Sequence, residues 1–118
     1  MHFRVLPLIA ALAVLSASAF AEDARSEAKS QVEFGIRVAQ NGLWKEATYH
    51  WDKAVKADPT YAAAWNNLAI GYEQEGRFEE AQKAYERALE LDPKNLYIRQ
   101  NFDLFKEIKD RTKRRSNR

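Results

Sequence analysis

The sequence repeats itself at an interval of 34 residues. With residues 28–61 laid over 62–95, Gly42 falls on Gly76, Glu46-Ala47 on Glu80-Ala81 and Trp51 on Tyr85. Ala54 likewise falls on Ala88, and Asp58-Pro59 on Asp92-Pro93. A unit this short cannot bury its apolar face alone. A fixed period of this length therefore predicts units stacked on their neighbours into one continuous core. Such architectures usually bind other proteins and seldom carry chemistry.

The spacing of breakers predicts helices almost throughout. The first runs from about Ala24 to Gln40 and stops at Asn41-Gly42, a C-terminal signal. The second runs from about Leu43 to Ala57, ended by Asp58-Pro59, because proline lacks a donor N–H and disfavours helix in the residue before it. A third is expected from near Thr60 to Glu75 and a fourth from Arg77 to Leu91. A fifth is expected from Lys94-Asn95 to about Asp110. The loops are only a few residues long, so consecutive helices must lie antiparallel as hairpins. No alternating strand pattern competes. The fold class is all-α.

Side-chain size supplies the packing rule. Trp65, Leu68, Ala69 and Tyr72 recur at i, i+3, i+4 and i+7, and so do Ala81, Ala84, Tyr85 and Ala88. Ala69 should meet Ala81 and Ala88 where the helices approach most closely, with Trp65, Tyr72 and Tyr85 filling the wider space. In the first hairpin Phe34, Gly35 and Val38 should pack against Ala47, Trp51 and Ala54. All three tryptophans are expected in the core.

These residues resemble the tetratricopeptide repeat family. Ala64-Trp65-Asn66-Asn67-Leu68-Ala69, Tyr72, Gly76, Phe78, Glu80-Ala81, Tyr85, Ala88-Leu89 and Asp92-Pro93 follow its pattern. The first repeat is looser, with Gln31 in place of Trp65 and Val38 in place of Tyr72. The resemblance covers two full repeats, 28–61 and 62–95, and a partial third. It implies a right-handed α-solenoid of helix pairs whose concave groove binds protein or peptide segments, without enzymatic activity.

The partial third unit reads as a cap. A step of 34 residues from Trp65, Ala69 and Tyr72 lands on Arg99, Asp103 and Lys106, so the face that would receive another helix is charged. Ile98, Phe102 and Phe105 form the stripe that covers the fourth helix. Residues 96–110 are thus the polar-faced terminal element that repeat arrays require, and 111–118 form a basic tail.

The resemblance also assigns the groove to the first helix of each pair. The matching positions are Lys29, Val32, Ile36 and Ala39, then Ala63, Asn66, Ile70 and Glu73, and in the cap Tyr97, Gln100 and Leu104. The apolar members have a second possible role, packing between neighbouring first helices. Some family members grip a chaperone's C-terminal carboxylate with a lysine–asparagine clamp. The matching places here hold Val32, Ile36 and Tyr97, with only Asn67 and Asn101 polar. That mode of binding is not expected.

Two further features bear on location. Met1-His2-Phe3-Arg4 is a short basic segment, Val5 to Leu15 an apolar run of eleven residues, and Ala19 and Ala21 frame an A-x-A cleavage site before Glu22. This is the pattern of a secretory signal peptide, residues 1–21, on a protein destined for the periplasm or for secretion. The run falls short of the roughly 20 residues that span a bilayer. An uncleaved membrane anchor is the alternative. Charge is uneven as well. Residues 22–105 hold 11 Lys and Arg against 15 Asp and Glu, a net of −4, while residues 106–118 hold 7 against 2, a net of +5. The tail is read first as a solvated, fraying helix end whose cations favour the negative end of the helix dipole. Contact with anionic lipid or an acidic partner is the functional alternative. Nucleic acid is not expected, since the tail lacks aromatic residues for stacking.

Chemistry finds no foothold in the sequence. There is no cysteine, and the only histidine after residue 21 is His50, so a zinc site lacks ligands. Neither a nucleophile motif nor a phosphate-binding glycine loop is present. No cofactor and no catalytic residue is assigned. Two roles remain open. One is an exported adaptor that binds a partner segment in its groove. The other is a structural subunit, a homodimer or a permanent member of an envelope assembly, that uses the cap and tail.

Overall fold

The computed structural model describes residues 6–118, with side chains from residue 16 onward. The basic segment Met1–Arg4 and the side chains of the apolar run lie outside the described residues. Five helices follow one another: α1 Leu6–Gln40, α2 Trp44–Ala57, α3 Ala62–Gln74, α4 Phe78–Leu91 and α5 Leu96–Ser116. No strand occurs among the described residues.

The two hairpin turns share one mechanism. Gly42 (φ 78°) and Gly76 (φ 75°) adopt the left-handed backbone that residues with a Cβ disfavour. Each Gly N–H bonds a carbonyl near the helix end, Gly42 to Ala39 at 2.9 Å and Gly76 to Glu73 at 3.0 Å. The next N–H reaches one residue further back, Leu43 to Val38 at 3.3 Å and Arg77 to Tyr72 at 2.8 Å. This is the Schellman arrangement, which satisfies the last carbonyls of α1 and α3. Between α2 and α3 the chain is turned by the Asp58 carboxylate, which accepts from the Thr60 amide at 3.0 Å and the Thr60 hydroxyl at 2.6 Å. Arg25 on α1 donates to the same carboxylate at 2.6 Å, which ties the first helix to this loop. At α5, Asn95 caps the helix by accepting from the Ile98 amide at 3.1 Å.

The core falls into two clusters. The first joins Ala28 and Val32 of α1, Ala47, Trp51, Ala54 and Val55 of α2, and Ala64 and Leu68 of α3. The second joins Ala69, Ala81, Ala84 and Tyr85 with Phe102 and Phe105 of α5. Small residues set the distance between paired helices. Ala28, Ala47, Ala54, Ala69, Ala81 and Ala88 are all fully buried. A methyl group at Gly35 would lie 2.5 Å from the Trp51 indole nitrogen, so that ring rests directly on the α1 backbone. The same nitrogen donates to the Val32 carbonyl at 3.1 Å.

Several expectations are corrected. α1 begins at Leu6, not near Ala24, because no residue between the apolar run and the first repeat breaks a helix. α5 continues to Ser116, past the expected end at Asp110, so most of the basic tail is helical. Lys and Arg are good helix formers, and Lys113, Arg114 and Arg115 sit in the last turn, where the dipole favours them. Phe34 is not core. It is 43% exposed, since no described helix covers it as α2 covers Leu68, the matching position of the second repeat. Of the tryptophans only Trp51 is fully enclosed, while Trp44 and Trp65 pack half-buried at the rim of the first cluster.

Helix α5 covers α4 as expected. Phe102 stacks on Tyr85 with ring centroids 5.4 Å apart, and Phe105 lies 5.3 Å from Tyr85 and 6.0 Å from Phe78. Lys109 closes the contact, reaching Gln82 at 2.8 Å and Glu79 at 3.0 Å. Residues 110–118 are exposed. Phe105→Ala should therefore cost about 3–5 kcal/mol, most of the margin of a small domain. Leu104→Ala, one residue away but 59% exposed, should change stability by less than about 0.5 kcal/mol. Urea unfolding of the two variants followed by circular dichroism checks the contrast.

Candidate functional site

The first helices of the three units lie side by side. α1 meets α3 through Val32, which shares a cluster with Ala64 and Leu68. α3 meets α5 through a polar bridge, the Asn101 amide donating to the Asn66 carbonyl oxygen at 3.2 Å. Asn66 is 2% exposed, so its amide group is part of the helix-to-helix seam. Asn67 is likewise occupied, its amide donating to the Ala63 carbonyl at 2.8 Å.

The positions assigned to the groove divide into two sets. Val32 and Asn66 are interior, and Ile70 is half-buried against the second cluster. Ala39, Ala63 and Glu73 are partly covered. Lys29, Ile36, Gln100, Tyr97 and Leu104 are exposed. Among these, Ile36 is 39%, Tyr97 64% and Leu104 59% exposed. The face of α1, α3 and α5 thus carries apolar side chains that the fold does not use, over a floor fixed by Val32, Asn66 and Ile70. The packing alternative accounts for the interior set and leaves the exposed set free.

Glu73 on α3 is a partly buried carboxyl on this face. Burial raises its pKa, against the hydrogen bond it accepts from the Tyr85 hydroxyl at 2.9 Å, which lowers it. Burial and the neighbouring carboxylate in turn push the Tyr85 phenol far up, so it stays a donor throughout.

Two concavities lie away from this face. A cleft of about 1160 Å³ sits at the turn ends, between Trp44, Thr48 and Tyr49 on one side and Tyr72, Glu75 and Arg77 on the other. A slot of about 670 Å³ runs between α2 and α4, floored by Trp65, Leu68 and Tyr72 and edged by Lys83 and Arg87. Sequence reading treats Trp65 and Tyr72 as core filling and does not find either concavity. The signal available was that Lys83 and Arg87 share a helix face with Ala84. No group of His, Cys, Asp and Glu side chains among the described residues could hold a metal ion.

The tetratricopeptide repeat profile matches residues 62–95, the second repeat. An uncharacterized protein of Methanocaldococcus jannaschii is 30% identical over 69 residues, 58% of this chain and 80% of that protein. The chain belongs to the tetratricopeptide repeat family. An uncharacterized protein of Haemophilus influenzae is 32% identical over 93 residues, 79% of this chain and 52% of its own length. Among solved structures, the second tetratricopeptide domain of Spaghetti (RPAP3), bound to an HSP90 peptide, superposes with a TM-score of 0.68. It is 21% identical and covers 74% of this chain and 81% of that one. That likeness establishes the α-solenoid of helix hairpins. The chain spans 52% of the Haemophilus relative and only 8% of a mouse relative, Protein O-mannosyl-transferase TMTC4. Proteins of this family are protein-interaction modules.

The Glu73 geometry has a pH consequence. A carboxyl whose folded pKa is raised contributes stability below its unfolded pKa and loses it as pH rises through the folded value. At pH 7 the wild type therefore carries the cost of a partly buried carboxylate. Glu73→Gln keeps an acceptor for Tyr85 and removes that cost. Its urea midpoint should exceed the wild-type midpoint more at pH 7 than at pH 4. A difference that does not change with pH would contradict this account.

Proposed function

We propose that this protein is a non-enzymatic adaptor, exported to the periplasm or cell envelope, that binds a segment of a partner protein along α1, α3 and α5. The reading is carried by Ile36 on α1 and Tyr97 and Leu104 on α5, apolar side chains exposed on the first and last of the three first helices and absent from both core clusters. Apolar anchors with a few polar neighbours, here Gln100 and Lys29, are the ingredients of a recognition surface. The floor beneath them is rigid, so little ordering cost is added on binding. With two and a half repeats the surface is short, and a single segment should bind with a dissociation constant on the order of micromolar. The lysine–asparagine clamp has no counterpart, and Asn66 and Asn67 are already engaged within the fold.

Export rests on the sequence of residues 1–21. Residues 16–23 are exposed, while Arg25 bonds Asp58 and Ala28 is fully buried. No helix among the described residues is long and apolar enough to cross a membrane. N-terminal sequencing of protein recovered from the envelope of the exporting cell should begin at Glu22. Intact Met1 material in the membrane fraction would favour the anchor. The exposed basic end of α5 adds weak attraction to anionic lipid headgroups as a secondary contact.

The groove is tested with a displayed peptide library. Peptides selected on the wild type should lose about tenfold or more in affinity on a Tyr97→Asp, Leu104→Asp double variant of unchanged helical content. Equal affinity on both proteins would place the binding surface elsewhere.

A further inference from the structure

We propose that the outer face of the first repeat, formed by α1 and α2, is the interface of a two-fold homodimer of this chain. The proposal stands apart from the groove reading, because it uses the opposite side of Phe34's helix pair and none of the groove anchors. It starts from the 34-residue step. In the second repeat, Leu68, Ala84 and Arg87 line the slot that faces α2. The same positions one repeat earlier are Phe34, His50 and Lys53, and no described helix precedes α1 to meet them. The consequence shows in exposure: Leu68 is 2% and Phe102 8% exposed, against 43% for Phe34.

This face is built up with rings. Phe34 and His50 lie 4.3 Å apart, and Tyr49, itself 59% exposed, meets His50 edge-on at 5.3 Å. His50 is fixed by Gln31 at 2.8 Å. An imidazole where the second repeat has small, buried Ala84 holds off the close approach that an ordinary preceding repeat makes. Head-to-tail stacking fails too, because the far end of the array presents Arg99, Asp103 and Lys106, all exposed. A closed contact in which the face meets itself avoids both obstacles.

Its charges are arranged for that. Arg37 lies over the Phe34 ring at 5.5 Å and Lys53 over the Tyr49 ring at 5.2 Å. Glu27 accepts from Gln31 at 3.0 Å, and Glu46 occupies the position that Glu80 takes in the slot. Because α1 and α2 are antiparallel, Glu27 and Lys53 lie toward one end of the face and Arg37 and Glu46 toward the other. A two-fold axis in the plane of the face, along the helices or across them, sets each cation against a carboxylate of the second copy. Aromatic rings then fill the centre. A central aromatic patch with complementary charges around it suits a specific interface.

The test is the mass of the full chain by light scattering over about 1–100 µM. Twice the mass of one chain is expected at the upper end. Phe34→Glu with Tyr49→Glu should give a monomer of unchanged helical content. Arg37→Glu with Lys53→Glu should raise the dissociation constant about tenfold or more, and adding Glu27→Lys and Glu46→Lys should restore the dimer. That restoration reports on the interface even if the aromatic variant fails to fold. A wild type that stays monomeric, charge reversal without rescue, or a dimer lost only through Tyr97→Asp and Leu104→Asp would each overturn the proposal.

Discussion

One large ring per second helix, lodged between two first helices, holds the array together. Trp51 rests on the bare backbone at Gly35 and bonds the Val32 carbonyl, and Tyr85 stacks under Phe102 and Phe105 while its hydroxyl reaches back to Glu73. Each ring joins its own hairpin or the next helix by dispersion and adds one directed polar contact. The alanines between the paired helices permit this geometry, because a larger residue at Ala47 or Ala81 would move the ring out of its seat.

The polar interior is sparse and specific. Asp58 is nearly enclosed, and burial alone would raise its pKa, yet the hydrogen bonds from Thr60 and Arg25 outweigh burial and hold it below the usual carboxylate range. That carboxylate fixes the loop between the repeats and clamps α1 to it through Arg25, so one side chain sets both the turn and the seat of the first helix. The Asn66 and Asn101 pair does the same for α3 and α5. Neither pair contributes much apolar area. Both fix register, since a shifted helix would leave a buried amide or carboxylate without a partner.

Much of this was legible in the sequence, for physical reasons that also explain the misses. Gly42, Gly76, Pro59 and Pro93 announce the turns because few residues can do their work, and Ala47, Ala54, Ala81 and Ala88 announce the helix contacts because few residues are small enough. Phe34 has the pattern of a core residue, but that pattern does not say whether another helix covers the face, and no described helix does. The length of α5 was misread because periodicity ends at Ile108, whereas the helix is carried further by propensity and terminal charge alone. On the face of the first helices, the family positions fall on residues of mixed burial. Whether Val32 is floor and Tyr97 rim depends on helix rotation, which a residue pattern fixes only to within part of a turn. The slot between α2 and α4 arises from three elements together and has no signature in any one of them.

Every helix packs mainly on the element next to it in sequence: α1 on α2, α2 on α3, α3 on α4, and α4 on α5. Loop-closure entropy is therefore small at every step, and chains dominated by such local contacts fold within about microseconds to milliseconds. Helix α5 is made after α4, and without it Tyr85 lacks the rings of Phe102 and Phe105. Completion of the second cluster thus waits for Phe102 and Phe105, so α3 and α4 keep one open side until the helix after them has been made.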